Sequence, residues 1–219
     1  MIQERDHLPR VSLSQWGESY EIGPVVVVAI HLDVQSSAAL ARADLRGWMS
    51  FDDLQLRRVA RRVSQIVPFE SVVLSPRKWN TLLGKLHDRD RLLNWSYRRA
   101  LTSILNCYVD CSFATFDYHS PAFAVLTTEL PRSAALTLSY RGSRESDLGL
   151  AAAGVLAKAT FVRSLEELSN KTGQSFPPLA VDLSPFLATF LEASGAPALL
   201  EIAKKDDPRV REVLKPKVS

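Results

Sequence analysis

A chain of 219 residues with 46% hydrophobic and 23% charged residues can bury a sizeable core, which excludes an intrinsically disordered segment. Its longest apolar run, residues 24–30, is too short to span a bilayer, and MIQERDHLPR at the start lacks the apolar core of a secretion signal. A cytoplasmic location and no membrane partner are therefore expected, while the net charge of +3 excludes nothing.

Residues 8–14 are predicted as a first strand. Residues 24–32, PVVVVAIHL, form a β-branched run that predicts a fully buried central strand. Over 51–67 the apolar positions Leu56, Val59, Ala60, Val63 and Val67 recur at helical spacing. Ser50 is the expected N-cap, and Asp52 and Asp53 suit the helix dipole. A short strand over 69–74 ends at Ser75-Pro76, followed by helices over 77–86 and 88–106. Strands are predicted over 108–116 and 134–140. A long helix over 148–170 stops before Gly173, and one over 184–194 has Gly195 as its C′ residue. No repeat or long linker divides the chain, so 1–219 reads as one domain. This order predicts an α/β fold, a mixed sheet flanked by helices.

Two cysteines, Cys107 and Cys111, lie four apart with few histidines in the chain, which predicts reduced, buried thiols rather than a zinc site. The basic residues cluster: Arg57, Arg58, Arg61 and Arg62; Arg89, Arg91, Arg98 and Arg99; and Lys204, Lys205, Arg209, Arg211, Lys215 and Lys217. Such clusters either neutralise phosphates or are solvated helix faces.

Several segments, in order, resemble the type 2 ribonucleases H, especially bacterial ribonuclease HIII. Residues 149–171, GLAAAGVLAKATFVRSLEELSNK, are similar to the family's Ala-Ala-Ser-Ile-Ile-Ala-Arg helix. Ile22-Gly23-Pro24-Val25-Val26-Val27-Val28-Ala29 resembles its Phe-Gly-Pro-Val-Val-Val-Ala-Ala strand. Ser75-Pro76-Arg77-Lys78-Trp79-Asn80 and the run from Arg89 to Ala100 resemble two further helix starts. The resemblance implies an RNase H-like core over about 8–172 and a helical C-terminal extension over about 173–219.

The family's chemistry uses four carboxylates around two divalent cations, which activate water and stabilise the leaving oxygen of a phosphodiester. By resemblance, Ser14 and Gln15 occupy the positions of its adjacent Asp-Glu pair. Asp117 falls where the third ligand belongs, and also suits a strand-end turn. The fourth position falls on Arg144 or Glu145. Glycine-loop recognition of the ribose 2′-hydroxyl corresponds here to Trp16-Gly17-Glu18-Ser19, and Asp44 is the one acidic residue left near a further family motif. Trp16 and Trp48 stand beside this site, either plugging the groove or meeting a partner; Trp79 and Trp95 match packing positions. His119 with Ser12, Ser14 and Asp117 does not have the spacing of a hydrolytic triad.

The first expectation is a catalytically degenerate ribonuclease H-like protein with no bound cofactor. It binds a nucleic acid, either hybrid or duplex, or a protein partner at the altered groove. Lys78, Asn80, Arg98, Arg99 and Lys158 are the expected nucleic-acid contacts. The alternatives are a divergent Mg²⁺- or Mn²⁺-dependent nuclease recruiting Glu18 or Glu21 beside Asp117 and Glu145, and an interaction subunit without nucleic-acid contact.

Overall fold

Strands β1 (Arg10–Trp16) and β2 (Val25–Leu32) run antiparallel in continuous register from Arg10↔Leu32 to Trp16↔Val26. The computed structural model describes residues 8–118, 136–141, 147–177 and 182–215. Strand β3 (Phe69–Leu74) pairs antiparallel with β2. Strand β4 (Phe113–Phe116) pairs parallel with β1, and β5 (Thr137–Tyr140) parallel with β4. The sheet order is β3-β2-β1-β4-β5. The sheet is mixed, as expected, and β2 is an interior strand between β3 and β1. A short connection folds β2 onto one edge of β1, and the chain returns through helices to lay β4 on the other.

β2 is buried along its whole length. Its alternate residues face opposite sides of the sheet, so an unbroken apolar run serves two cores. Val26, Val28, Ile30 and Leu32 pack against helices α2 (Asp53–Ile66) and α5 (Leu148–Thr172). Val27 and Ala29, with Val11 and Leu13 of β1, pack against Tyr97, Ala100, Leu101 and Ile104 of α4 (Arg89–Cys107). Each such buried aliphatic side chain contributes about 1.5–3 kcal/mol.

Helix starts follow side-chain caps. Helix α1 (Val34–Leu40), which the periodicity did not reveal, opens on an Asp33–Ser36 capping box. Asp52, not Ser50, caps α2; its carboxylate accepts from the Gln55 N–H while the Gln55 side chain reaches back. Ser50 instead closes a 3₁₀ turn, Trp48–Ser50, two residues before the N-cap position. Ser75 caps α3 (Pro76–Leu86), and Asp88 caps α4. The predicted stop at Gly195 is a break, with φ 80° and ψ 167°, inside α6 (Ser184–Ile202). Pro197 suits the first turn of the resumed helix, where a missing N–H costs nothing. Helix α7 (Pro208–Leu214) follows.

α5 is long and apolar enough to cross a membrane by length and composition, yet it lies across the sheet with Gly149 to Ala157 and Phe161 buried. Its glycines let β1 approach: a Cβ at Gly149 would stand 2.2 Å from Ser12 Oγ. The C-terminal helices pack on Ile22, which also bridges Ala203. Only one cysteine matches the expected burial. Cys107 is exposed at the end of α4, while burial pushes the Cys111 thiol up to about 11.

Candidate active-site edge

The parallel register Leu13↔Phe116 makes Ser14 and Asp117 neighbours at the shared C-terminal end of β1 and β4. Asp117 Oδ2 accepts from Ser14 Oγ at 2.7 Å and from the Gln15 N–H at 3.2 Å. Its Oδ1 accepts from the Tyr97 hydroxyl at 2.6 Å, across the sheet from α4. The carboxylate is 8% exposed, so three donors replace the water it lost. These bonds tie Asp117 to β1 and α4 and bring together the three residues that the sequence singled out. Gln15 contributes only its backbone N–H; its Oε1 is buried without a hydrogen-bond partner among the described residues.

The space beside Ser14 is filled. Trp48 is fully buried, and a Cβ at Gly154 would lie 2.5 Å from two of its ring carbons and 3.3 Å from Ser14 Oγ. Trp16 packs on it with ring centroids 5.5 Å apart. Trp48 is therefore the plug, while half-buried Trp16 lines an aromatic recess of about 530 Å³ with Tyr20, Phe51 and Phe161. Lys158 latches the 3₁₀ turn: its Nζ donates to Met49 O at 2.7 Å and Phe51 O at 3.2 Å and sits 5.5 Å from the Trp16 ring centroid. Burial lowers its pKa, opposed by Asp53. Lys158, expected as a nucleic-acid contact, thus gives two of its three donors to backbone carbonyls of this turn.

Glu18 and Glu21, which an alternative metal site would recruit, are directed elsewhere. Glu18 pairs with Arg89 at 2.6 Å, and buried Glu21 pairs with Arg209. Arg89 is also held by Asp206 at 3.3 Å and lies over the Trp79 ring. Among the described residues no group of three or more His, Cys, Asp or Glu could hold a metal ion. Arg144, Glu145 and His119 lie outside the described residues. The described carboxylates, Asp117 with both oxygens already hydrogen-bonded and Asp147 engaged by the Leu150 N–H and Arg141, do not fit a divalent pair. Asp147, which the sequence reading passed over, is buried and caps α5 through the Leu150 N–H at 3.0 Å, with Arg141 at 3.6 Å. Its signal was present as an acidic residue immediately before the helix's first residue.

The glycine loop is also clamped. Lys204 is 1% exposed and donates to Gly17 O at 2.8 Å. Burial, with help from Arg89, pushes its pKa down to about 7 against the opposing carboxylates of Asp206, Glu18 and Asp207. Gly17 itself, at φ 90°, has no room for a Cβ, which would meet Pro24 O at 2.2 Å.

Of the other expected nucleic-acid contacts, Asn80 is turned to the protein interior. It is buried, donates to Leu200 O at 3.1 Å and Ala203 O at 2.9 Å, and accepts from the Lys205 N–H at 2.8 Å. It staples α3 to the end of α6. Lys78 and Arg99 are exposed and line one groove; Arg98 is half-buried beside Tyr97. Arg58, Arg61 and Arg62 are exposed on α2.

No family model matches the chain. It is 22% identical over 176 residues to ribonuclease HIII of Chlamydia felis, covering 80% of this chain and 59% of that protein. It is 26% identical over 195 residues to ribonuclease HIII of Bacillus mycoides, covering 83% and 60%. The chain thus spans about three fifths of the length of these curated relatives. Among solved structures it is similar to Bst-RNase HIII in complex with Mn²⁺, with a TM-score of 0.83, 20% identity and coverage of 94% of this chain and 69% of that one. It is also similar to ribonuclease H2 of Pyrococcus horikoshii, at 0.77, 18%, 94% and 97%. The RNase HII of Archaeoglobus fulgidus, solved in complex with PCNA, gives 0.75, 17%, 95% and 98%.

Proposed function

The chain is ribonuclease HII/HIII-like in sequence and has the type 2 ribonuclease H fold, and from that premise we propose that it binds nucleic acid without cleaving it. The observation that carries this reading is the contact between Ser14 and Asp117. A two-cation site needs anionic ligands to offset four positive charges. Here a neutral hydroxyl stands against Asp117, Tyr97 takes its other oxygen, and Trp48 fills the adjoining space. Such a centre supports a scaffold role: the sheet edge and the arginines of α4 offer shape and positive charge, and no hydrolytic step is derived from it. Mg²⁺ and Mn²⁺ have no role in this reading, and the protein acts in the cytoplasm.

The test has two arms. Labelled RNA–DNA hybrid, and duplex carrying one embedded ribonucleotide, are incubated with excess protein in Mg²⁺ and in Mn²⁺. Intact substrate is expected; cleavage abolished by Asp117→Asn overturns the proposal in favour of a divergent nuclease. In the second arm, affinity for the same nucleic acids falls steeply as salt rises from about 50 to 200 mM, since each phosphate contact releases counterions. Arg98→Glu with Arg99→Glu weakens binding alike for all sequences, because phosphate contacts position without specifying. Absence of binding even at the lowest salt removes the nucleic-acid reading.

A further inference from the structure

We propose that the open edge of β3 docks an acidic, extended segment of a partner protein, which adds to the sheet as a further strand. β3 is an outer strand of the sheet. It carries neither Pro nor Lys, its one charge, Glu70, is not among the residues lining the groove along this edge, and its pairing with β2 runs without interruption from Val25↔Leu74 to Ile30↔Phe69, so no bulge turns it away. Natural edges are usually blunted by such devices, because alternate residues present unpaired N–H and C=O groups. Among the described residues no strand pairs with the outer side of β3. A groove of about 730 Å³ runs along residues 71–75, with Leu82 and Trp95 on its wall. Val72 packs toward the α4 side of the sheet and Val73 toward the α2–α5 side, yet both line the groove. The groove therefore follows the strand's edge rather than one of its faces.

Charge selects the occupant. Lys78 and Arg99 are exposed on the groove and form no ion pair among the described residues, and Arg77 beside them is only loosely paired, 3.6 Å from Glu201. A second copy of this chain, pairing β3 with β3, would bring these like charges together, whereas an acidic segment offsets them. Trp95 and Arg99 share one face of α4, and Tyr97 lies about 200° round the helix from each. The groove is thus a surface separate from the Asp117 edge. Backbone pairing would supply affinity, and the cations and the half-buried Trp95 wall would supply preference, as in strand addition to other sheets.

The test pans the full chain against a phage-displayed library of random peptides about 12 residues long, enough to cover a typical strand. Enriched peptides are then synthesised with fluorescein for anisotropy. The expected winners are acidic, with alternating β-branched residues. Lys78→Glu with Arg99→Glu weakens them by about tenfold or more, as the loss of desolvated charge pairs does. The same loss follows N-methylation of alternate peptide residues, a change that leaves the protein untouched. Charge reversal at Arg61 and Arg62 leaves binding unchanged. No enrichment, or binding insensitive to both the groove variant and N-methylation, overturns the proposal. If oligo-dT binds, displaces the peptides and itself depends on Lys78 but not on Arg98, which lies outside the groove, the groove is a nucleic-acid path and the peptide proposal falls. A protein that takes acidic peptides here but binds no hybrid would refute the nucleic-acid function and leave this inference standing.

Discussion

Replacing Gly154 by Ala probes the Trp48 plug directly, and two opposed effects set its sign. The new Cβ would lie 2.5 Å from Cη2 and Cζ2 of Trp48, a ring that is fully buried and also packed on Trp16. With no free end to swing aside, the ring must shift its neighbours, which costs about 1–3 kcal/mol. Against this, Ala is favoured over Gly within a helix by about 0.5–1 kcal/mol. The steric effect wins, and Gly154→Ala is expected to lose about 1–2 kcal/mol. Trp48→Ala alone removes a large buried ring at a cost of about 3–5 kcal/mol. In that background the obstacle is gone, so Gly154→Ala should stabilise by about 0.5–1 kcal/mol. Urea unfolding followed by circular dichroism on the wild type, both single variants and the double variant closes the cycle. The expected coupling is about 1–3 kcal/mol. An equal cost for Gly154→Ala in both backgrounds would refute the packing of Trp48 against α5 and Ser14.

Ser14→Asp sets a second carboxylate within hydrogen-bonding reach of Asp117. Like charges at that distance raise at least one carboxyl pKa in the fold, so the folded state binds more protons and the stability deficit shrinks as pH falls from about 7 to about 4. Thermal melts across that range check it; a deficit independent of pH would contradict the geometry. Lys204→Met is expected to stabilise the fold near neutral pH, even though Gly17 O loses its donor. The folded pKa of Lys204, about 7, lies below its ordinary 10.5. The wild type therefore carries a charge-burial cost that is full below the folded pKa and is relieved as pH rises toward the unfolded one. The variant's advantage in melting temperature should shrink from about pH 7 to about pH 10, and an advantage that grows with pH would refute the assignment.

What the sequence determined by itself was local. The apolar run 24–32 dictated a strand buried on both faces, because no alternation left a side for water. Ser75-Pro76 and the small-residue run from Gly149 placed two helices, since caps and close helix–sheet contacts leave marks in consecutive residues. The parallel order of β1 and β4 was not written in either strand, yet it alone puts Ser14 beside Asp117, 103 positions away. The roles of lysines and amides were equally out of reach. Lys158, Lys204 and Asn80 have the composition of surface contacts, but tertiary packing points each at backbone carbonyls. A long polar side chain finds its partner wherever the fold leaves an unpaired acceptor, and that acceptor belongs to a segment distant in sequence. Trp48 shows the same division. Its position next to a family motif was legible, but its burial arose only when α5 brought Gly154, which has no Cβ, against the ring.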